Sequence, residues 1–365
     1  MLIEFAVKAA LAGAFLGMVL NLAGLLTWVE RKQSAVMQDR VGANRAWILF
    51  PKWLFPLNWL LMPLNRLGLF HSLADAMKMF LKEDFTPTNA DKFLHTLAPA
   101  ISVVFALMAF AAIPFGDVWH VASREVNLQI ADVNVGLLFV FAMMSLGVYG
   151  VILAGFSSAN NYAYLGGMRA ASQMLSYEIT MGISILGVVI CYGSLSLQEI
   201  VRAQSHVWGI FAQPLAFFLF MTAALAETKR VPFDLPEGES EIIGYFVEYS
   251  GMKFGMFFLT DLVETVLVAC LMTTFFLGGW QVPFLQPDGF HFGGNIIALS
   301  HGVVILLGVT SFMLKVAFFN WLFMQIRWTL PRFRYDQLMH LGWKILFPAS
   351  LVNVLVTSLI VVWRG

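Results

Sequence analysis

MFFLTDLVETVLVACLMTTFFL, the stretch from Met256 to Leu277, decides the fold. It is apolar almost throughout. As an α-helix rising 1.5 Å per residue it reaches about 33 Å, enough to cross a hydrocarbon core of about 30 Å. It also holds two carboxylates, Asp261 and Glu264. A charge in a bilayer interior costs at least ~2.5 kcal/mol on insertion scales, so the default reading of such a residue is functional.

Seven further stretches qualify as spans on either side of this one. They are Ala9–Val29, Leu97–Ile113, Gly136–Phe156, Ile179–Tyr192, Ile210–Leu225, Ile296–Phe319 and Ile345–Val362. The span at Ile179 is short and is expected to extend past Glu178 and past Gly193. Trp47–Phe70 is also apolar, but Pro51, Pro56 and Pro63 remove backbone donors that lipid cannot replace. It reads as an interfacial segment or one buried against other protein. Composition agrees with a membrane chain: 59% of the 365 residues are apolar and 12% charged, about half the charge of a soluble domain. The expectation is an all-α polytopic membrane protein, residues 1–365 forming one integral domain of about eight helices, with amphipathic helices in its loops. Lys8 and the long apolar run after it, without an A-x-A cleavage site, read as a mature helix.

Eight spans put the loops 1–2, 3–4, 5–6 and 7–8 on one side. Seventeen Lys and Arg residues fall there, against Lys8, Arg124, Arg202 and Arg364 on the other. Short loops rich in Lys and Arg face the cytoplasm, so both termini are expected in the periplasm or its equivalent. A ninth span at Trp47–Phe70 would split the basic residues between both faces.

Acids are unevenly placed. Eight of the 22 lie between Glu227 and Glu264, offset locally only by Lys229, Arg230 and Lys253. A plain solvated loop fits poorly, because Pro232, Phe233, Leu235, Pro236, Ile242, Ile243, Tyr245 and Phe246 alternate with the charges as packed residues do. Glu237 and Glu241 share a face if this part is helical, and like charges at that spacing repel. Such pairs are typical of proton-handling sites. Glu30 and Lys315, near span ends, read equally well as residues reaching for headgroups. Glu178, at the start of span 4, fits that account less well. Leu73, Met77 and Leu81 recur every four residues, predicting an amphipathic helix that brings Asp75 and Lys78 over a polar pocket.

Other chemistries lack support. Cys191 and Cys270 both lie in apolar runs with no C-x-x-C partner, so the chain cannot hold an iron–sulfur cluster or structural zinc by itself. There is no G-x-G-x-x-G and no P-loop. A net charge of zero gives no field for nucleic acid.

Several motifs together resemble one family, the membrane subunit of respiratory complex I beside the quinone site, known as the H-type subunit in bacteria and subunit 1 in mitochondria. They are Glu30-Arg31-Lys32, Gln38-Asp39-Arg40-Val41-Gly42, Leu73-Ala74-Asp75-Ala76-Met77-Lys78, Leu165 to Met174 running into Ser176-Tyr177-Glu178, and Ala226 to Glu241 around Val231-Pro232-Phe233-Asp234-Leu235-Pro236. Glu248 to Phe254 and Arg327 to Arg332 extend the likeness, which covers about Trp28 to Val362. The family usually has Gly-Pro where this chain has Gly42-Ala43, and Gln-Pro where it has His71-Ser72. It has Ala-Glu-Tyr where this chain has Thr260-Asp261-Leu262, a carboxylate shorter by one methylene.

The resemblance implies a subunit of proton-pumping NADH:quinone oxidoreductase, a translocase, in the bacterial inner membrane. The chain would form most of a chamber admitting ubiquinone or menaquinone as substrate, with no redox centre or cofactor of its own. Implied partners are the iron–sulfur subunit facing the cavity, the 49-kDa-type subunit, the small membrane subunits leading to the antiporter-like arm, and lipid. Implied quinone-cavity residues are Arg40, Asp75, Lys78, Arg169 and Phe233. Implied proton-path residues are Glu30, Glu178, Glu227, Asp234, Glu237, Glu239, Glu241, Glu248 and Asp261. The alternatives are the related membrane anchor of a membrane-bound hydrogenase or formate hydrogenlyase, and a stand-alone ion transporter, whose inverted repeats are not visible here.

Overall fold

The computed structural model describes residues 2–50, 55–121, 124–236, 238, 242, 244–286, 289–292 and 295–364. The chain opens with α1 (Leu2–Met37), followed by two short helices, α2 (Phe55–Leu67) and α3 (His71–Leu81). Helix α4 (Lys92–Ala109) leads to a hairpin of β1 (Val118–Val121) and β2 (Arg124–Asn127). Then come α5 (Gly136–Ser157), α6 (Asn161–Tyr192), α7 (Leu197–Ala203), α8 (Gly209–Ala212), α9 (Pro214–Glu227) and α10 (Gly251–Phe276). An antiparallel sheet of β3 (Leu285–Gln286), β4 (Gly289–Phe292) and β5 (Asn295–Ala298) precedes α11 (His301–Thr329). The chain ends with α12 (Tyr335–His340), π-helical turns over Leu341–Leu346 and α13 (Phe347–Arg364). The protein is an all-α polytopic membrane protein with minor sheet.

Among the described residues seven helices are long and apolar enough to cross a bilayer, the last running continuously over Tyr335–Trp363. The expected fifth span differs. It is broken at Gln213, where φ is −138°, and resumes at Pro214, which has no N–H to continue the α8 ladder. The 14 residues of α9 reach about 21 Å, well short of a bilayer core. Its final residue, Glu227, therefore stops inside the protein. Trp47–Phe70 is not a span: α2 covers only 13 of its residues. Asn58 and Asn65 turn their amides back onto the backbone of Phe50 and Ile48 at 2.7–3.1 Å, satisfying groups that lipid cannot.

Helix ends follow local chemistry. Asp91 caps α4 by accepting from the Phe93 and Leu94 amides at 3.0 and 3.2 Å. Asn160 caps α6 through the Tyr162 amide at 2.9 Å. The expected extension of this span past Glu178 is present, because α6 begins a full 17 residues before it. The expected extension past Gly193 is absent: that glycine takes the left-handed conformation and stops the helix.

The Met256–Leu277 stretch forms the central helix. All positions of α10 from Thr260 to Phe276 are buried, and α1, α3, α4, α9 and α11 pack around it. Gly251 starts it at φ +56°, and a Cβ there would stand 2.9 Å from the Lys82 carbonyl after α3. That close approach brings α3 against the entrance of α10. Asp261 and Glu264 are thus carried into the middle of the molecule.

Candidate functional site

The carboxylates of the central helix meet a lysine from the turn after α9. Lys229 Nζ lies 2.8 Å from Asp261 Oδ1 and 3.3 Å from Glu264 Oε2. Its side chain is 2% exposed. Burial alone would lower the lysine, but the two carboxylates outweigh it and hold Lys229 well above the usual lysine range. Its backbone is left-handed, φ 54°, which costs a non-glycine residue roughly 1–2 kcal/mol. Packing and the ion pairs hold it there.

Glu227, two residues earlier and 1% exposed, is the end of α9. Its Oε2 has no hydrogen-bond partner among the described residues. Its charged neighbours are Glu178, Glu264 and Lys229. Glu178, on α6, accepts from the Ser145 hydroxyl of α5. The half-buried pair Ser145–Glu178, the buried Glu227 and the buried cluster of Lys229, Asp261 and Glu264 are thus gathered from α5, α6, α9, the turn after it and α10 into one electrostatic neighbourhood.

Further charges are paired around it. Glu30, at the cytoplasm-expected end of α1, lies 3.2 Å from Arg230 and 2.7 Å from Arg327. It is fixed inside rather than reaching for headgroups. Asp234 receives Arg332 at 2.8 Å. Gln173, fully buried on α6, donates to the carbonyls of Ala226 and Phe233 at 2.7 Å and pins both ends of the turn that presents Lys229 and Arg230. Phe233 is buried and stacked on Phe333 at 5.5 Å. Glu248 accepts from Asn160 at 2.7 Å on the wall of a 340 Å³ cavity. Next to it Tyr249, hydrogen-bonded to Ser157, has its phenol pushed up to about 12 by burial. Glu237, Glu239 and Glu241 lie outside the described residues.

The predicted helix at Leu73–Leu81 is α3. None of its residues is buried against this chain, and Leu73, Met77, Phe80 and Leu81 stay exposed. Beneath it is a 310 Å³ pocket lined by Arg31, Asp75, Lys78, Met79, Lys82, Gly251, Phe254 and Phe258. Arg31 and Asp75 pair at 2.6 Å in its wall. Lys82 and Lys78 add positive charge beside two aromatic rings. Arg40 stands apart, its Nε donating to Gln38 at 2.7 Å. Arg169 lies over the Tyr335 ring at 5.4 Å.

Lys315 belongs to neither group. Its ammonium donates to the carbonyls of Leu277, Gly279 and Gln281 at 2.8, 2.9 and 2.6 Å, with the Trp208 ring 4.8 Å away. This is the far end of α10, about 20 Å along the axis from Glu264. It ties together the turn that follows α10, from its C-cap residue Leu277 to Gln281.

Sequence reading flagged Glu264 as an interior carboxylate without giving it a place in the path, and it missed Lys229 and the counter-ions Arg31, Arg230, Arg327 and Arg332. The i, i+3 spacing of Asp261 and Glu264 was the available signal. The arginine pairings join residues far apart in the chain and leave no local pattern.

Such an arrangement defines a class: a polytopic membrane subunit with a buried charge cluster and a pocket under an uncovered amphipathic helix. Residues 9–358 match the family model described as NADH dehydrogenase, and the chain belongs to that family. Among curated relatives it is 43% identical to an H-type subunit of the NADH-quinone oxidoreductase of Geobacter metallireducens, over 99% of this chain and 98% of the relative. It is 40% identical to the corresponding NADH-quinone oxidoreductase subunit of Cytophaga hutchinsonii, over 96% and 95%. That of Thermomicrobium roseum is 41% identical over 95% and 94%.

Proposed function

We propose that this chain forms the quinone chamber of a proton-pumping NADH:quinone oxidoreductase and couples quinone reduction to proton movement through its buried carboxylates. The observation that carries this reading is the buried cluster of Lys229 with Asp261 and Glu264, with the buried Glu227 two residues from Lys229 in the chain. The pocket under α3 is its entrance. A volume of 310 Å³ takes a quinone ring, and Phe254, Phe258 and Met79 supply its apolar walls. Arg31, Lys78 and Lys82 offset negative charge on a ring being reduced. Arg40, Arg169 and Phe233 belong to the chamber as assembled with its partners.

Quinone reduction takes up two electrons and two protons. Transient negative charge in a low-dielectric pocket raises the proton affinity of carboxyls within reach. Glu30, Asp234 and Glu248, each with a fixed partner, join the pocket to the cluster, and Glu237, Glu239 and Glu241 are assigned to the same path. Moving one charge across a membrane costs ~2.3 kcal/mol per 100 mV, so proton uptake and redox state are tightly linked. Electrons come from an iron–sulfur subunit facing the pocket and its 49-kDa-type neighbour. The uncovered apolar face of α3 is where such partners sit. Small membrane subunits carry the path on to the antiporter-like arm. The quinone is ubiquinone or menaquinone, the membrane is the bacterial inner membrane, and both termini lie on its periplasmic side.

The test is Glu227→Gln in the intact complex in proteoliposomes, with quinone reduction and proton pumping measured together. Both fall. Wild-type rates for both would end the proton-path reading.

A further inference from the structure

A cavity of 680 Å³ lies at the opposite end of α10 from the charge cluster, where α10 has ended and α11 begins. Trp280 and Gln281 form one wall, on the turn that Lys315 holds through the Leu277, Gly279 and Gln281 carbonyls. The Gln281 amide donates to the Val201 carbonyl at 2.6 Å and ties this turn to α7, beside Arg202. Opposite, α11 lines the cavity from His301 to Gly308, about 10 Å along its axis. The cavity therefore runs from the level of the helix ends into the start of the apolar spans, the depth at which headgroups give way to acyl chains. Trp208 and Trp280 face it, as tryptophans do at membrane–water interfaces.

Its charged groups are one opposed pair. Arg202 Nη2 donates to Asp117 Oδ1 at 2.8 Å, and Gln198 Nε2 adds a second bond to the same oxygen at 3.3 Å. Asp117 Oδ2 and the Nε and Nη1 groups of Arg202 make no hydrogen bond to a described residue, and the two side chains are 31% and 50% exposed. Ser205 and His206 line the same cavity just after Arg202, so donors gather on the α7 side while Asp117, in the loop before β1, is an acceptor. His206, Trp208 and Pro283 also bound a 440 Å³ cleft completed by Val207 and Phe211. Phe211, on α8 ahead of the break at Gln213, is 77% exposed. A cavity holding both signs of charge thus continues into an exposed apolar cleft, the outline of an amphiphile.

We propose that this cavity binds a zwitterionic phospholipid with a primary ammonium, phosphatidylethanolamine, its phosphate on Arg202, its ammonium on Asp117 and an acyl chain along Val207 and Phe211. The charge pattern selects the headgroup. Arg202 and Asp117 sum to zero, so the matching ligand is neutral overall and carries both charges a short bridge apart. The free edge of the guanidinium suits a phosphate oxygen, and Asp117 Oδ2 suits an N–H donor. A choline headgroup has no N–H to give. A phosphatidylglycerol headgroup brings only negative charge and leaves the carboxylate opposed. The site is separate from the quinone pocket and the proton path, and it stands whether or not those readings do.

The experiment places the photoreactive residue benzoylphenylalanine at position 211 in the intact complex. The complex is reconstituted in nanodiscs of equimolar phosphatidylethanolamine, phosphatidylcholine and phosphatidylglycerol with matched chains, and mass spectrometry identifies the adduct after illumination. Phosphatidylethanolamine exceeds each of the other two by roughly threefold, within what a half-exposed ammonium–carboxylate contact supplies. Asp117→Asn removes that preference and shifts the adduct toward phosphatidylglycerol, because Arg202 is then uncompensated. Arg202→Gln lowers the total lipid adduct. If the probe at position 211 blocks assembly, position 207 carries it instead, since Val207 is 50% exposed on the same cleft. Lipid adducts in bilayer proportion, a preference for phosphatidylglycerol or phosphatidylcholine in the unsubstituted site, a preference unchanged in Asp117→Asn, or an adduct to another protein subunit overturns the proposal.

Discussion

Replacing Lys315 with methionine tests whether a half-buried ammonium holds the turn that follows the central helix. Methionine keeps an unbranched apolar stem and removes the charge. Three carbonyls, of Leu277, Gly279 and Gln281, then lose donors at 2.6–2.9 Å, and the Trp208 face loses its cation. A hydrogen bond to a charged group is worth ~1.5–3 kcal/mol, but three bonds to one ammonium share its charge and solvation, so the sum is not threefold. About 3 kcal/mol is the expected loss, the upper end of the single-bond range, because three acceptors lose their donor but the ammonium is only half-buried. On a chain this long each kcal/mol lowers the melting temperature by ~1–2 °C, so a drop of roughly 5 °C follows. Unfolding of the purified complex in nanodiscs, followed by tryptophan fluorescence, reads it. Quinone reduction per assembled complex stays at the wild-type rate, because Lys315 is about 20 Å from Glu264. A melting temperature within about 1 °C of wild type would refute the turn-holding role, since three lost charged bonds cannot be thermally silent. A normal melt with slowed quinone reduction would place Lys315 in the coupling machinery instead.

Other perturbations bear on the pocket, the packing and the charge cluster. Asp75→Asn frees Arg31 from its 2.6 Å partner and slows quinone reduction, while electron transfer to an artificial acceptor persists; an unchanged quinone rate excludes Asp75 from the pocket. Gly209→Val prevents assembly, because even a Cβ at that position would meet the Phe275 carbonyl at 2.1 Å; a normal yield of complex contradicts the packing. Alkaline pH destabilises the fold. Tyr249, at about 12, and Lys229, above the lysine range, bind their protons more tightly folded than unfolded, so their stabilisation is full below pH ~10 and is lost as pH rises through the folded values. A melting temperature that does not change from pH 9 to pH 11 contradicts this.

The spans were legible because a bilayer admits few backbone solutions, and length with apolarity selects among them. The proline-rich stretch at Trp47–Phe70 was legible for the same reason: its prolines leave donors missing, and the folded chain answers with Asn58 and Asn65. The break at Gln213 was not. Ile210–Leu225 reads as one continuous apolar run, and a single residue at φ −138° shortens it. That break determines where Glu227 stops, and therefore that it is buried.

Charge was legible in quantity but not in partnership. Arg230, Arg327 and Arg332 count toward the expected positive side of the membrane. Their guanidinium groups nonetheless face Glu30 and Asp234, contacts made across 98 to 297 residues of chain. The same holds for Lys229, which looks like a loop lysine until α10 places two acids beside it. A buried cation is tolerated only with anions at hand, and a buried anion only with cations or a proton. Three buried carboxyls, Glu227, Asp261 and Glu264, share this interior with the Lys229 ammonium, while Arg230 is engaged by Glu30. On the proposed reading, a change of charge at the α3 pocket shifts this balance, and the paired measurement of quinone reduction and proton pumping in Glu227→Gln is what tests it.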